Sequence, residues 1–161
     1  MKTSFLFPNR YKKIGWFLLI PATVIGFIVL FFDFEFKFLD LKVLAIYAEG
    51  LGMFGSPPGF FHLVEDNFTN EIVGIVFLIG AIFAAFSKEK QEDEFISNTR
   101  MESLLWAIYI NYAVLIFCIL FFFNLIFLYV LILNLFTTLI FFLIRFNYIL
   151  YKSKKSLTNE K

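Results

Sequence analysis

Residues 103–144 read SLLWAIYINYAVLIFCILFFFNLIFLYVLILNLFTTLIFFLI, forty-two positions without a charged side chain between Glu102 and Arg145. One transmembrane helix needs ~20 apolar residues, because a rise of ~1.5 Å per residue must cover a hydrocarbon core of ~30 Å. The stretch therefore holds two crossings joined by a tight turn, since a single helix of this length would project far beyond both leaflets. Asn124 is the only turn-forming residue near its middle, and a turn at Phe123 to Leu125 leaves arms at 103–122 and 126–146. A turn at Asn134 would leave the second arm too short to cross.

Composition agrees with lipid as the solvent. Of the chain, 60% is apolar and only 17% charged, with a mean hydropathy of +0.81, which would leave a soluble fold of this size with far too much exposed hydrocarbon. The aromatic excess is 26 Phe against 2 Trp, so it reads as lipid-facing bulk rather than as an aromatic ligand cage. A net charge of +1 creates no global field for nucleic acid or acidic substrates. The sole Cys, Cys118, and the sole His, His62, rule out an intrachain disulfide and a Cys/His metal cluster. Cys118 has no basic neighbour to activate it and reads as a small core hydrophobe. No Gly-rich phosphate loop, nucleophile elbow or metalloprotease helix is present, so neither a cofactor nor a metal is expected and an enzyme is disfavoured.

Two further apolar runs complete an all-α membrane fold of four transmembrane helices in one domain, 1–161. The first, about 14–32, carries Pro21 in its second turn and runs directly into Asp33 and Glu35 without a small-x-small cleavage site, so it reads as an uncleaved anchor. The second, about 71–87, is short and borrows from its flanks: Asn70 is a plausible N-cap and Lys88 can snorkel. Gly80 with Ala84, and Ala81 with Ala85, give small-x-x-x-small spacing for close helix approach.

Four crossings put both termini on one side. Lys2, Arg10, Lys12 and Lys13 precede the first span; Lys88, Lys90 and Arg100 lie between the second and third; Arg145, Lys152, Lys154, Lys155 and Lys161 follow the fourth. The loop 33–70 keeps only Lys37 and Lys42, so it is expected outside, with the termini and the connector 88–102 cytoplasmic. Within that loop Phe32, Phe34, Phe36 and Phe38 alternate with polar residues, the phase then slips, and Leu39, Leu41 and Val43 alternate. Period two predicts strand and the slip a bulge or break, which suggests a small β-hairpin lying on the bilayer; Gly50 to Gly59 supplies the turning stretch and Phe60 to Val64 returns to the membrane surface. Asn67-Phe68-Thr69 matches the glycosylation triplet, as do many unmodified loops.

Polar residues inside a span are costly and are the default places to look for function. Asn134, Thr138 and Arg145 fall on one stripe of the fourth span at ~100° per residue. Folding about Asn124 brings Arg145 to the depth of Glu102, which predicts an ion pair there, and Asn111 to the depth of Thr137. Glu102 and Asn111 are half a turn out of phase, so only one of them can face the fourth span. Interhelical hydrogen-bond glue among Asn111, Asn134, Thr137 and Thr138, worth ~0.6 kcal/mol per bond, is favoured over a substrate path. In the connector, Thr99-x-x-Glu102 reads as a capping box for the third span. Glu92, Asp93, Glu94, Phe95 and Arg100, with Ile96 and Met101, read either as a solvated helical connector or as a docking surface for a soluble partner.

The segments FPNR (Phe7 to Arg10), IGW (Ile14 to Trp16), EDEFIS (Glu92 to Ser97), SLLWA (Ser103 to Ala107), NY (Asn111, Tyr112) and IRFNY (Ile144 to Tyr148) resemble those of a family of small uncharacterised bacterial integral membrane proteins. That resemblance implies a bacterial inner-membrane location and no assigned reaction, so it transfers no catalytic residue. The expected function is a non-catalytic interaction, anchoring or regulatory partner, in contact with the bilayer and with a soluble cytoplasmic protein. The alternative is an oligomeric channel or transporter subunit using Asn134, Thr138 and Arg145, with homo-oligomers as its working form.

Overall fold

A computed structural model describes residues 5–32, 34–48 and 59–159. The elements run α1 (Arg10–Phe32), a 3-10 turn (Lys37–Leu39), β1 (Asp40–Ala48), β2 (Gly59–Asn67), α2 (Thr69–Phe86), α3 (Glu94–Phe121) and α4 (Leu125–Asn159). Four of these, α1 to α4, are long and apolar enough to cross a membrane. The chain forms two compact units, Met1–Ile20 with Phe77–Lys161, and Pro21–Val76.

In the first unit the chain reverses between α3 and α4 at Phe122 to Asn124. Asn124 takes the left-handed conformation, φ 61°, which Asn tolerates better than most residues because its short amide bonds locally. Phe122 N–H donates to the Cys118 carbonyl at 2.9 Å and Phe127 N–H to the Asn124 carbonyl at 3.1 Å, so the turn closes the last bond of α3 and the first of α4 without Gly or Pro. Both helices outrun the crossings expected from hydropathy. Helix α3 begins at Glu94, where Asp93 Oδ1 accepts from Ile96 N–H at 2.8 Å. Thr99 is therefore a buried residue inside the helix and the Thr99/Glu102 capping box does not form: the better N-cap stands six positions earlier, and Thr99 is on the packed face. Helix α4 continues beyond Arg145 through Lys152, Lys154 and Lys155.

Small residues set the packing of the first unit. Ala81, Ala84, Ala85 and Ala107 are almost fully buried, as are the large side chains of Phe142 and Phe146. The two rings stack on one another at 5.6 Å, and Phe86 stacks on Phe142 at 5.8 Å. Gly15 of α1 lies directly on the backbone of α2: a Cβ placed there would stand 2.8 Å from the Phe83 carbonyl carbon and 2.9 Å from Ala84 Cα. Gly80 returns the approach, with its Cβ position 2.8 Å from Leu19 N. The small-x-x-x-small pattern of α2 thus meets a glycine on its neighbour, and dispersion between two closely apposed backbones holds the pair.

In the second unit β1 and β2 pair antiparallel, with Asp40 opposite Asn67 and Val43 opposite Val64. The alternating Phe34, Phe36 and Phe38 precede the ladder rather than joining it. Phe36 explains why: its N–H donates to Thr69 Oγ1 at 3.0 Å and its carbonyl accepts from Leu39 N–H at 2.8 Å and from Asn67 Nδ2 at 3.1 Å, so its backbone is committed to the 3-10 turn and to the start of α2. Phe60 to Val64 belongs to β2. The Gly50–Pro58 turning stretch lies outside the described residues. Asn70 is exposed within the first turn of α2 and does not cap it; Asn67 Oδ1 takes that role by accepting from Thr69 N–H at 3.0 Å. With its amide on Phe36 O and Asp40 Oδ1 (2.6 Å), Asn67 is tied into the fold, and Thr69 is fully buried, which leaves the glycosylation triplet without a free acceptor.

Candidate functional site at the helix ends

Within the first unit, the segment before α1, the link from α2 to α3, the first turns of α3 and Phe146 of α4 converge. The approach begins in the backbone: Phe7 N–H donates to Phe86 O at 3.0 Å and Lys88 N–H to Phe7 O at 2.9 Å, a parallel bridge centred on Phe7 and Ser87. Asn9 Nδ2 donates to Lys88 O at 2.6 Å. The Phe7 ring meets Phe83 edge-on at 5.1 Å, so the N-terminal segment is held by an apolar ring as well as by its backbone.

Two ion pairs lock the same region. Lys12 of α1 pairs with Glu89, and Arg100 of α3 pairs with Glu92 through Nη1 at 2.6 Å and Nη2 at 3.3 Å. Glu92 Oε2 also accepts from Glu89 N–H at 2.9 Å, which joins the two pairs into one network. Arg100 is 7% exposed, lies 5.1 Å over the Phe146 ring and donates to Ser87 O at 3.4 Å. Lys12 reaches the same ring at 5.9 Å. A single ring of α4 thus receives the cations of α1 and α3. Ser87 Oγ, Arg100 Nε and Ser103 Oγ are buried without a hydrogen-bond partner among the described residues.

The residues singled out from sequence therefore separate into two groups. Glu92, Asp93 and Arg100 are engaged within the fold: half-buried Glu92 and buried Arg100 form the network, and exposed Asp93 caps α3. Glu94, Phe95, Met101 and Glu102 are exposed, and with Asn98 they occupy one face over the first two turns of α3. Lys12 and Glu89 were not foreseeable as partners, because nothing local links charges 77 positions apart.

Deeper in the helices, Asn111 and Asn134 exchange amide hydrogen bonds at 3.1 and 3.3 Å, and the Thr137 hydroxyl lies 2.5 Å from Asn111 Oδ1 and 3.1 Å from Asn134 O. Thr138 is half-buried and outside this cluster. The expected Glu102–Arg145 ion pair is absent among the described residues. The packed stripe of α3 is Arg100, Ser103, Ala107 and Asn111, Glu102 lies off it and exposed, and the guanidinium of Arg145 instead covers the Trp106 ring at 4.9 Å. Of the two out-of-phase residues, Asn111 faces α4. Trp106 and Arg145 border an open groove of about 480 Å³ completed by Ile144, Tyr148 and Ile149.

Among the described residues no group of three or more His, Cys, Asp or Glu side chains is placed to hold a metal ion. Cys118 is a free, half-buried thiol. Compared with family models, curated proteins and solved structures, the chain matches none.

Proposed function

We propose that this is a non-catalytic multi-pass membrane protein that docks a soluble partner at the helix ends, with its termini and the α2–α3 link on the cytoplasmic face. The observation that carries the reading is the division of labour in the link. One set of charges is consumed in fixing the N-terminal segment to α3, and this leaves Glu94, Phe95, Met101 and Glu102 displayed as an ordered, mixed acidic and apolar helical face. Phe95 is 50% and Met101 61% exposed, beside the charges that favour the aqueous side. The matching partner surface is apolar with a basic rim. The basic excess on the same segments supports the cytoplasmic orientation, and the resemblance in FPNR, EDEFIS and IRFNY supports a bacterial inner membrane.

The alternative of a channel or transporter subunit has less to stand on, because Asn134 is spent on Asn111 and Thr138 lies apart from that cluster. A photo-crosslinking residue at Phe95 in membranes tests the docking reading. A discrete adduct that disappears on Glu94→Lys with Glu102→Lys supports it; adducts to lipid alone, or an adduct indifferent to charge reversal, remove it. Substrate flux in proteoliposomes that falls in Asn134→Leu would favour the alternative.

A further inference from the structure

On α4, Arg145, Tyr148, Ile149 and Lys152 follow the i, i+3, i+4, i+7 spacing of one helical face. Arg145 stands 21 residues from the Asn124 turn, about 31 Å along a helix, which puts it at the hydrocarbon boundary opposite that turn. Tyr148 then sits at headgroup level and Lys152 about one turn beyond it. Trp106 of α3 closes the groove on its inner side. Amphipathic rings at this depth belong to the membrane–water interface.

Arg145 is occupied on only one aspect. Its guanidinium carbon lies 4.9 Å from the Trp106 ring centroid, but neither Arg145 nor Lys152 has a carboxylate within ion-pair distance among the described residues. A cation–π contact supplies no acceptor oxygen, so it leaves the N–H donors available, and their fork is shaped for two oxygens of a phosphate. Ile144 is 63% and Trp106 40% exposed, so an acyl chain has an apolar wall directly below the cation.

We propose that this groove is a binding site for one anionic phospholipid, its phosphate held by the Arg145 N–H donors and Lys152 at the level of Tyr148 and Ile149, and its acyl chain lying along Trp106 and Ile144. The site depends on α3 and α4 crossing the bilayer and not on partner docking, so the crosslink at Phe95 can fail while this site stands.

Trp106 is its own reporter. The full-length Trp16→Phe protein is placed in phosphatidylcholine bilayers containing a minor fraction of brominated-chain phosphatidylglycerol or, in parallel, brominated-chain phosphatidylcholine. Phosphatidylglycerol is expected to quench Trp106 as if enriched about fivefold over its bulk fraction, and Arg145→Gln should bring the two lipids to equality. Lys152→Gln, which alters an exposed residue beyond the apolar span, should reduce the preference and keeps the test decisive if Arg145→Gln does not fold. Equal quenching by both lipids, or a preference unchanged in both variants, overturns the proposal. A preference abolished by millimolar inorganic phosphate overturns it too, because the site would then take a free anion.

Discussion

Replacing Gly15 by alanine is expected to destabilise the protein although alanine is the better helix former. The added methyl carbon would stand 2.8 Å from Phe83 C and 2.9 Å from Ala84 Cα, against the ~3.5–4.0 Å of an optimal carbon–carbon contact. Both obstacles are helix backbone and cannot rotate aside, so α1 and α2 must part by up to about 1 Å at their closest point. Overpacking of this kind costs about 1–3 kcal/mol, and the gain in helix propensity returns about 1 kcal/mol. Because both obstacles are backbone, the cost falls in the upper part of that range, about 2–3 kcal/mol, and the net expectation is a loss of about 1–2 kcal/mol. Gly26 provides the internal control, since its Cβ position has only Val73 Cγ1 within reach, at 3.6 Å. Gly26→Ala should therefore match or exceed the wild type by up to about 1 kcal/mol. Reversible unfolding in mixed micelles, titrated with denaturing detergent, measures both. A Gly15→Ala protein as stable as the wild type, or equal shifts at the two positions, would refute the close-approach argument.

Two further substitutions probe the polar network. Arg100→Gln leaves Glu92 partly buried without its cation and should cost about 3 kcal/mol, with the double variant Glu92→Gln, Arg100→Gln less damaged than the single; a single variant that unfolds with the wild type contradicts the placement of Arg100. Asn111→Leu and Asn134→Leu should show a coupling of about 0.6 kcal/mol in a double-mutant cycle while Thr138→Val is silent, and strict additivity would mean that the two amides do not exchange hydrogen bonds.

The crossings were legible because lipid leaves a coarse signature: long charge-free runs whose length is fixed by the bilayer. The polar contacts across α3 and α4 were legible in part, since folding about Asn124 fixes depth but not rotation. Depth placed Glu102 beside Arg145; rotation turned Asn111 inward and Glu102 out, and one helix cannot present both to the same neighbour. Gly80 and Ala84 advertised close approach through their spacing, whereas Gly15 carried no local sign of being the surface they meet. The Lys12–Glu89 and Arg100–Glu92 network was hidden for a related reason: a charge-rich link reads as solvated until the N-terminal segment and Phe146 are brought against it. Phe34, Phe36 and Phe38 misled in the opposite direction, because a two-residue period does not reveal that Thr69, Asn67 and Leu39 claim the backbone of Phe36.

Cysteine accessibility tests the threading most directly. In a Cys118→Ser background, single cysteines at Glu94, Asn124 and Lys155 are exposed in turn to a membrane-impermeant maleimide in intact cells and in inverted vesicles. Residues 94 and 155 should label only in inverted vesicles and residue 124 only in intact cells. Labelling of 94 and 155 from opposite faces would contradict the hairpin formed by α3 and α4.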